Sequence, residues 1–416
     1  MANSLVIQSG GPTAVINSTV VGVVEAASQL DKGTQVFGAL GGIEGLLHAN
    51  FVSIHNLTSE ELDLLRYTPG AALGTCRHKL TKQDLQQIIH NLREYHITKL
   101  YYIGGNGSMQ VAIFLKEQAM EMGYPLRVIG LPKTVDNDLF GTDHTPGFAS
   151  AAKHLATMVA DLKMDVSSYA SGERITVIET MGRHTGWLAG ACQLAFLEDD
   201  GFNEFLIYLP EFRFDIESCK AKVDALLKKN KNVFIIIAEG VKDLEGNWLT
   251  SHNMKFDDLQ RAKLGGAANY LKEQLEKAFL VQVRAIEPSI WQRSSTIIAS
   301  QTDFDEAYEV GRQAVKYMNE GKTNVMVGMQ RSKLSSYETE FYCTPLSWIA
   351  SKEKIIPLIW YSLSQNKMTD DFIQYLLPLI QGEVTAKRKH GLPQYSSLYK
   401  LRAKGDEGNC QLSSVR

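Results

Sequence analysis

An α/β fold of doubly wound, mainly parallel sheets is what this sequence predicts, on three observations. Short apolar runs of strand length alternate with segments of helical period along most of the chain. Several of those runs end in a glycine turn that leads into a helix, as strands of a parallel sheet do. The chain has 416 residues, enough for two or three packed domains with large cores.

Composition removes several classes of function. With 44% hydrophobic and 21% charged residues the chain reads as folded, and a net charge of −3 supplies no field toward nucleic acid or anionic lipid. Neither is expected as a partner. No signal-peptide pattern and no uncharged apolar segment of membrane-spanning length occur. The five cysteines (Cys76, Cys192, Cys219, Cys343 and Cys410) are scattered, without a CxxC pair, which suits reduced thiols. A cytoplasmic protein is the expectation.

The first α/β series begins with the apolar run Leu5, Val6 and Ile7, then Ser9, Gly10, Gly11 and Pro12, then a helical segment over residues 13–27. Strand, glycine turn and helix bring backbone N–H groups and a helix N-terminus to one place, a natural anion site, although such a turn also forms for the bend alone. A second unit spans 35–47, and 70–79 is a glycine-rich loop carrying Arg77 and Lys79. Residues 82–95 form an amphipathic helix with Leu85, Ile88, Ile89 and Leu92 on one face and a capping pair, Thr81 and Asp84. The run from Leu100 to Ile103 ends in Gly104, Gly105, Asn106, Gly107 and Ser108, and a helix follows over 109–122.

The run Leu126 to Ile129 leads to Pro132, Lys133, Thr134, Val135, Asp136, Asn137 and Asp138, followed by a loop over 141–147. In open parallel sheets ligands sit at the carboxyl ends of strands. A lysine to hold an anion, an aspartate to take a proton and a second aspartate to help hold a metal are the parts phosphoryl transfer needs. A helix is predicted over 148–164, and a second α/β series follows with strands at 175–178, 205–209 and 233–237. Residues 243–279 read as polar and helical, an insertion. Beyond them lie a helix over 303–318, a strand over 325–329 and a helix over 372–380. The basic tail (Lys387, Arg388, Lys389, Lys400, Arg402 and Lys404) reads as a solvated or oligomer-docked end.

Taken together, six segments resemble the phosphofructokinase family: Ser9–Pro12, Gly74–Arg77, Gly104–Ser108, Pro132–Asp138, Met181–Gly186 and Gln292–Ser294. The resemblance covers about the first three-quarters of the chain. A glycine turn alone would fit an NAD-kinase-like enzyme too, but that reading leaves the Met181 and Gln292 segments unexplained. What the resemblance implies is two Rossmann-like, three-layer domains with the active site in the cleft between them. Residues 1–147 plus about 293–335 would bind the phosphoryl donor, 148–292 fructose 6-phosphate, and 336–416 would be a helical extension packed on the second domain.

By the same resemblance Asp136 is the base for the sugar's 1-hydroxyl, and Asp138 and Asn106 help hold Mg²⁺. Thr134 and Gly11 contact the transferring group, and Arg77 balances charge on the phosphates. Gly107, Ser108 and Lys133 line the donor site. Met181, Gly182, Arg183 and Glu239 shape the sugar pocket. Arg174, Arg284 and Arg293 grip the 6-phosphate or the transition state. Some of these arginines come from a neighbouring subunit in the family, which implies a homodimer or homotetramer.

The donor follows from two positions that point in opposite directions. Gly107 is the type found with ATP and Lys133 the type found with pyrophosphate. A lysine suits a compact, highly charged anion and intrudes on a nucleotide route. Together with Pro12, the 184–187 continuation and the 379–383 ending, the resemblance favours pyrophosphate, with ATP as the alternative and sedoheptulose 7-phosphate as a further acceptor. Asn106 and Ile290 depart from the family pattern, where Asp and His or Tyr are usual. They keep open a reading from another class, a regulatory subunit that binds sugar phosphate without turning it over.

Overall fold

The computed structural model describes residues 2–31, 33–76, 78–169, 174–198, 201–229, 231–249, 255–256, 262–332, 336–350 and 352–396. Two sheets organise them. The strands of the first half are β1 (Asn3–Gln8), β2 (Val36–Ala39), β3 (Phe51–Ser53), β4 (Ile97–Gly104) and β5 (Arg127–Pro132). Then come β6 (Ile175–Thr180), β7 (Asn203–Tyr208), β8 (Asn232–Ala238), β9 (Val283–Ile286), β10 (Val325–Arg331) and β11 (Thr339–Pro345). The larger sheet has the order β11-β10-β5-β4-β1-β2-β3 and the smaller one β9-β6-β8-β7. All pairs of the smaller sheet are parallel; the larger is parallel except at its two edges, β2 with β3 and β10 with β11. The doubly wound α/β expectation holds, because apolar runs buried on both faces need helices on both sides.

Local signals held where they were strong. The Thr81–Asp84 pair closes a capping box on the helix Lys82–Glu94, with the Asp84 N–H donating to Thr81 Oγ1 at 3.2 Å and the Thr81 N–H to Asp84 Oδ2 at 2.8 Å. The helix after β1 (Ile16–Leu30) crosses the helix Gln301–Asn319 from far along the chain. Their backbones meet at Gly22 and Gly311: a Cβ on Gly22 would lie 2.0 Å from the Tyr308 carbonyl oxygen, and one on Gly311 2.3 Å from that of Thr19. No residue but glycine fits either contact.

Two expectations are corrected, on 243–279 and on the C-terminal part. Among the described residues of 243–279 the helix is Ala267–Phe279, and upstream of it lie the short strands Lys242–Asp243, Lys255–Phe256 and Ala262–Lys263. The C-terminal part is not a helical extension throughout. Thr339–Pro345 is the antiparallel edge strand of the larger sheet, so the first unit runs past residue 335. Its burial alternates poorly, as edge strands allow, which is why it leaves no clear period-2 signal. The helical stretch at 372–380 is a short α-helix, Asp370–Leu376, continued by a 3-10 turn, Leu377–Ile380. Phe372, Tyr375, Leu376 and Leu379 pack into the core of the smaller sheet, where Trp187 stacks on Phe372 with ring centroids 6.0 Å apart. Residues Lys400, Arg402 and Lys404 of the basic tail lie outside the described residues.

Candidate active site

Because β1, β4 and β5 are neighbours and parallel, their carboxyl ends present three loops side by side. After β1, Gly10 takes a positive φ of 78°. After β4, Asn106 opens the helix Asn106–Glu121, and Ser108 Oγ donates to Ser9 Oγ at 3.0 Å, tying the two glycine turns together. After β5, the Lys133 N–H donates to the Gly104 carbonyl at 3.0 Å, and its Nζ reaches back to the Gly11 carbonyl at 2.7 Å. One lysine thus spans all three loops.

Thr134, Asp136 and Asp138 follow. The Asp136 N–H donates to Thr134 Oγ1 at 3.1 Å, so the threonine hydroxyl keeps its own hydrogen to donate elsewhere. Asn106 Nδ2 donates to Asp138 Oδ2 at 3.0 Å. The remaining oxygens of this pair, Asn106 Oδ1 and Asp138 Oδ1, are buried without a hydrogen-bond partner. Two orphaned hard oxygens facing a phosphate site suit Mg²⁺, which binds through one or two side chains and takes the rest of its shell from phosphates and water. Gly11 lies under Arg293: a Cβ there would stand 2.3 Å from the guanidinium Nη1. Gly107 is exposed, and a Cβ on it would meet nothing within 4 Å.

The second sheet supplies the opposite wall. Met181, Gly182 and Arg183 follow β6, and Glu239 follows β8, its neighbour. Gln292 Oε1 accepts the Met181 N–H at 2.9 Å, and Thr185 Oγ1 donates to the Asp136 carbonyl oxygen at 2.9 Å. That last bond couples the loop after β6 to the aspartate loop. Gly182 has φ 138°, and a Cβ on Gly240 would fall 1.9 Å from the Arg183 carbonyl oxygen, so this wall is tightly wrapped.

The electrostatics converge on Asp136. Burial, then the Asp138 and Glu239 carboxylates, push its carboxyl up to about 7, against the pull of Lys133 and Arg293. Burial, then the Arg293 charge, bring the Lys133 ammonium down to about 8, opposed by Asp136 and Asp138. Glu239 is raised by burial, with Arg183 and Arg293 lowering it. A half-buried carboxyl near neutrality beside two cations can take a proton from an alcohol while the cations hold an anion.

Not every expected residue joins this centre. Arg77 lies outside the described residues. Arg174 and Arg284 sit toward the amino ends of their strands, away from Met181; a six-residue strand is roughly 20 Å long. There Arg174 Nη2 donates to the Lys231 carbonyl at 2.8 Å, and Arg284 pairs with Asp165 at 3.2 Å. Within one chain they do not reach Asp136. His184 is exposed and pairs with Glu353 at 3.2 Å, and Glu211 accepts the Gly186 N–H at 3.1 Å, a structural role in both cases. Residues that sequence reasoning passed over include Thr185, whose signal was its place in the Met181–Gly186 segment, and Lys354, which had none.

Residues 3–318 match the family model described as Phosphofructokinase. The chain is 35% identical over 95% of its length to the pyrophosphate–fructose 6-phosphate 1-phosphotransferase of Xanthomonas campestris pv. campestris (strain B100), covering 96% of that protein. It is 33% identical over 96% of its length to the protein of the same name from Halomonas elongata, covering 97% of it. Among solved structures, the pyrophosphate-dependent phosphofructokinase of Nitrosospira multiformis superposes with a TM-score of 0.85 at 32% identity, over 94% of this chain and 95% of that one.

Proposed function

This chain belongs to the phosphofructokinase family, and from that premise we propose that it transfers a phosphoryl group from pyrophosphate to the 1-hydroxyl of fructose 6-phosphate. The products are fructose 1,6-bisphosphate and phosphate. The observation that carries the reading is Asp136: a carboxyl near neutrality, beside Lys133 and Arg293, tied through its backbone to the loop carrying Met181, Gly182 and Arg183.

Asp136 takes the proton of the 1-hydroxyl as that oxygen forms its bond to the terminal phosphorus. The bridging P–O bond breaks, and its electron pair leaves with the departing phosphate. Little covalent work is asked of the protein, so positioning and charge neutralisation dominate. Lys133, Arg293 and Arg77 supply positive charge, Thr134 donates to the transferring group, and Gly11 lets the phosphoryl approach the backbone. Met181, Gly182, Arg183 and Glu239 hold the sugar. Mg²⁺, held by Asp138 and Asn106, would neutralise further charge on the donor.

For the donor, Lys133 is the deciding residue. Its ammonium is anchored on the Gly11 carbonyl and closes the floor of the donor site, which favours a compact anion. The space around Gly107 keeps ATP as the second reading. Arg174 and Arg284 complete the 6-phosphate grip only from a neighbouring subunit, so the active form is a homodimer or homotetramer. We divide the chain into a donor unit of 1–147 with 293–345, whose helix Gln301–Asn319 packs on the helix Ile16–Leu30, a sugar unit of 148–292, and a remainder packed largely on the latter. No described helix is long and apolar enough to cross a membrane; the reaction is assigned to the cytoplasm. Rates with pyrophosphate and with ATP at equal concentration, fructose 6-phosphate and Mg²⁺ present, test the proposal. Turnover with pyrophosphate is expected; its absence overturns the donor assignment, and absence with both overturns the enzyme.

A further inference from the structure

The aspartate loop is held from behind by a part of the chain that the family model does not reach, since that match ends at residue 318. Asp136, Asn137 and Asp138 are consecutive, yet two of them are wanted in the cleft. The middle residue solves the problem by pointing the other way. Asn137 takes a left-handed φ of 52° and is 0% exposed, so its side chain turns into the protein while its neighbours stay half-buried at the site. Besides the Thr145 hydroxyl, which donates to its Oδ1 at 3.4 Å, two groups from beyond residue 331 catch it there. Lys354 Nζ donates to Asn137 Oδ1 at 2.9 Å, and Asn137 Nδ2 donates to the Tyr375 hydroxyl at 3.1 Å.

Lys354 does more than hold one amide. Its ammonium also donates to the Asp143 carbonyl at 2.7 Å and to that of Thr142 at 3.4 Å, using all three of its hydrogens on one loop. Its backbone N–H donates to the Asp138 carbonyl at 2.8 Å, and the neighbouring Glu353 makes an antiparallel bridge with Leu139. The face of Trp187 lies 5.2 Å from the ammonium, and the Tyr375 hydroxyl donates to the Asp143 carbonyl at 2.9 Å. Arg331 fixes the far side, donating through Nε to Asp143 Oδ2 at 3.0 Å and through Nη2 to the Tyr375 carbonyl at 2.7 Å. Both polar atoms of the Asn137 side chain, and the carbonyls of Asp138, Thr142 and Asp143 beyond it, meet partners from residues 331–375.

A buried ammonium is a costly device for mere packing. Here all its donors converge on the back of the residues that must face substrate. We propose that Lys354, acting with Tyr375 through the Asn137 side chain, is a positioning residue that sets the reactive orientation of Asp136 and Asp138. The inference rests on the reading of Asp136 as the base. Lys354 itself touches no reacting atom. Its loss lets the Asn137 side chain swing and the flanking carboxylates drift, and a displacement of about 1 Å at a reacting group costs on the order of a hundredfold in rate. Sugar binding depends on the other wall and is left in place.

The test is steady-state kinetics of Lys354→Met and Tyr375→Phe in the full chain, with melting temperatures alongside. Lys354→Met keeps the length of the side chain and removes the charge. It is expected to lower kcat about a hundredfold with KM for fructose 6-phosphate within about threefold. Tyr375→Phe keeps the ring and removes the two hydrogen bonds of the hydroxyl, to Asn137 and to the Asp143 carbonyl, and is expected to lower kcat about tenfold with the same split. Because both act through Asn137, the double variant should be no slower than Lys354→Met alone. Unchanged kcat in a folded Lys354→Met protein overturns the proposal, as do equal factors in kcat and KM or multiplicative losses in the double variant. Should Lys354→Met not fold, Tyr375→Phe decides: a lowered kcat at constant KM supports the proposal and an unchanged kcat ends it. Absence of turnover in the unaltered protein would instead defeat the reading on which this one stands.

Discussion

The donor end of the cleft and the 6-phosphate end are built to different degrees within one chain. At the donor end Gly11, Asn106, Lys133, Asp136 and Asp138 come from the ends of three adjacent parallel strands and share hydrogen bonds. Of the three arginines assigned to the 6-phosphate, Arg293 reaches the site, lying against Gly11, while Arg174 and Arg284 hold groups toward the amino ends of the smaller sheet's strands. The contrast teaches where precision is kept. Bond-making chemistry needs sub-ångström placement and is made inside one rigid sheet. A long arginine on an anion tolerates assembly from two chains.

The most severe way to test that contrast is Asp136→Asn. Turnover should fall by about 10²–10⁴, the range for a general base, while KM for fructose 6-phosphate stays within a few-fold. Equal damage to both constants would erase the distinction between the ends. Arg284→Ala should lower kcat/KM for fructose 6-phosphate by about a hundredfold, mainly through KM. Mixing it with Asp136→Asn after dissociation and reassociation should restore part of the activity if the arginine crosses between subunits. No recovery would place that arginine outside the site. Arg293→Ala joins the two ends, so it should damage kcat and KM together, by about tenfold each, and kinetics at saturating donor would show it.

Smaller effects concern protons and the donor. With the Asp136 carboxyl near 7, kcat/KM should fall about tenfold per pH unit below that value and level off above it. The sign for stability is the reverse. A carboxyl whose folded pKa is raised favours the folded state when protonated, and that contribution is lost as pH rises through about 7. Asp136→Asn should therefore melt higher than the unaltered protein at pH 8, with the gap closing toward pH 4, as calorimetry can read. The smallest change is Gly107→Asp. The open space there accepts the side chain, so the rate with pyrophosphate should move less than about twofold while any ATP rate falls further.

Much of the donor end could be read in the sequence because its parts are local. A strand, a glycine turn and a helix N-terminus are contiguous, and Lys133 through Asp138 carry their chemistry in six consecutive residues. The capping pair Thr81 and Asp84 was legible for the same reason. The stretch before Ala267 reads as helical from its polar composition, yet among its described residues Gly246 takes a positive φ of 93° and Lys242–Asp243, Lys255–Phe256 and Ala262–Lys263 are short strands; composition alone does not tell the two apart. Thr339–Pro345 escaped because an edge strand needs neither full burial nor strict alternation.

What the chain alone determined is the order of its elements and the identity of the groups that can do chemistry, since periodicity and side-chain type are properties of neighbours in sequence. Only the folded molecule decided which of those groups meet. Lys354 grips Asn137 across 217 positions, and Arg293 lies on Gly11 while Arg174 turns away. Such pairings come from which strand ends lie side by side and which side chains packing leaves room for. That information belongs to the sheet order and the core, and no local pattern carries it.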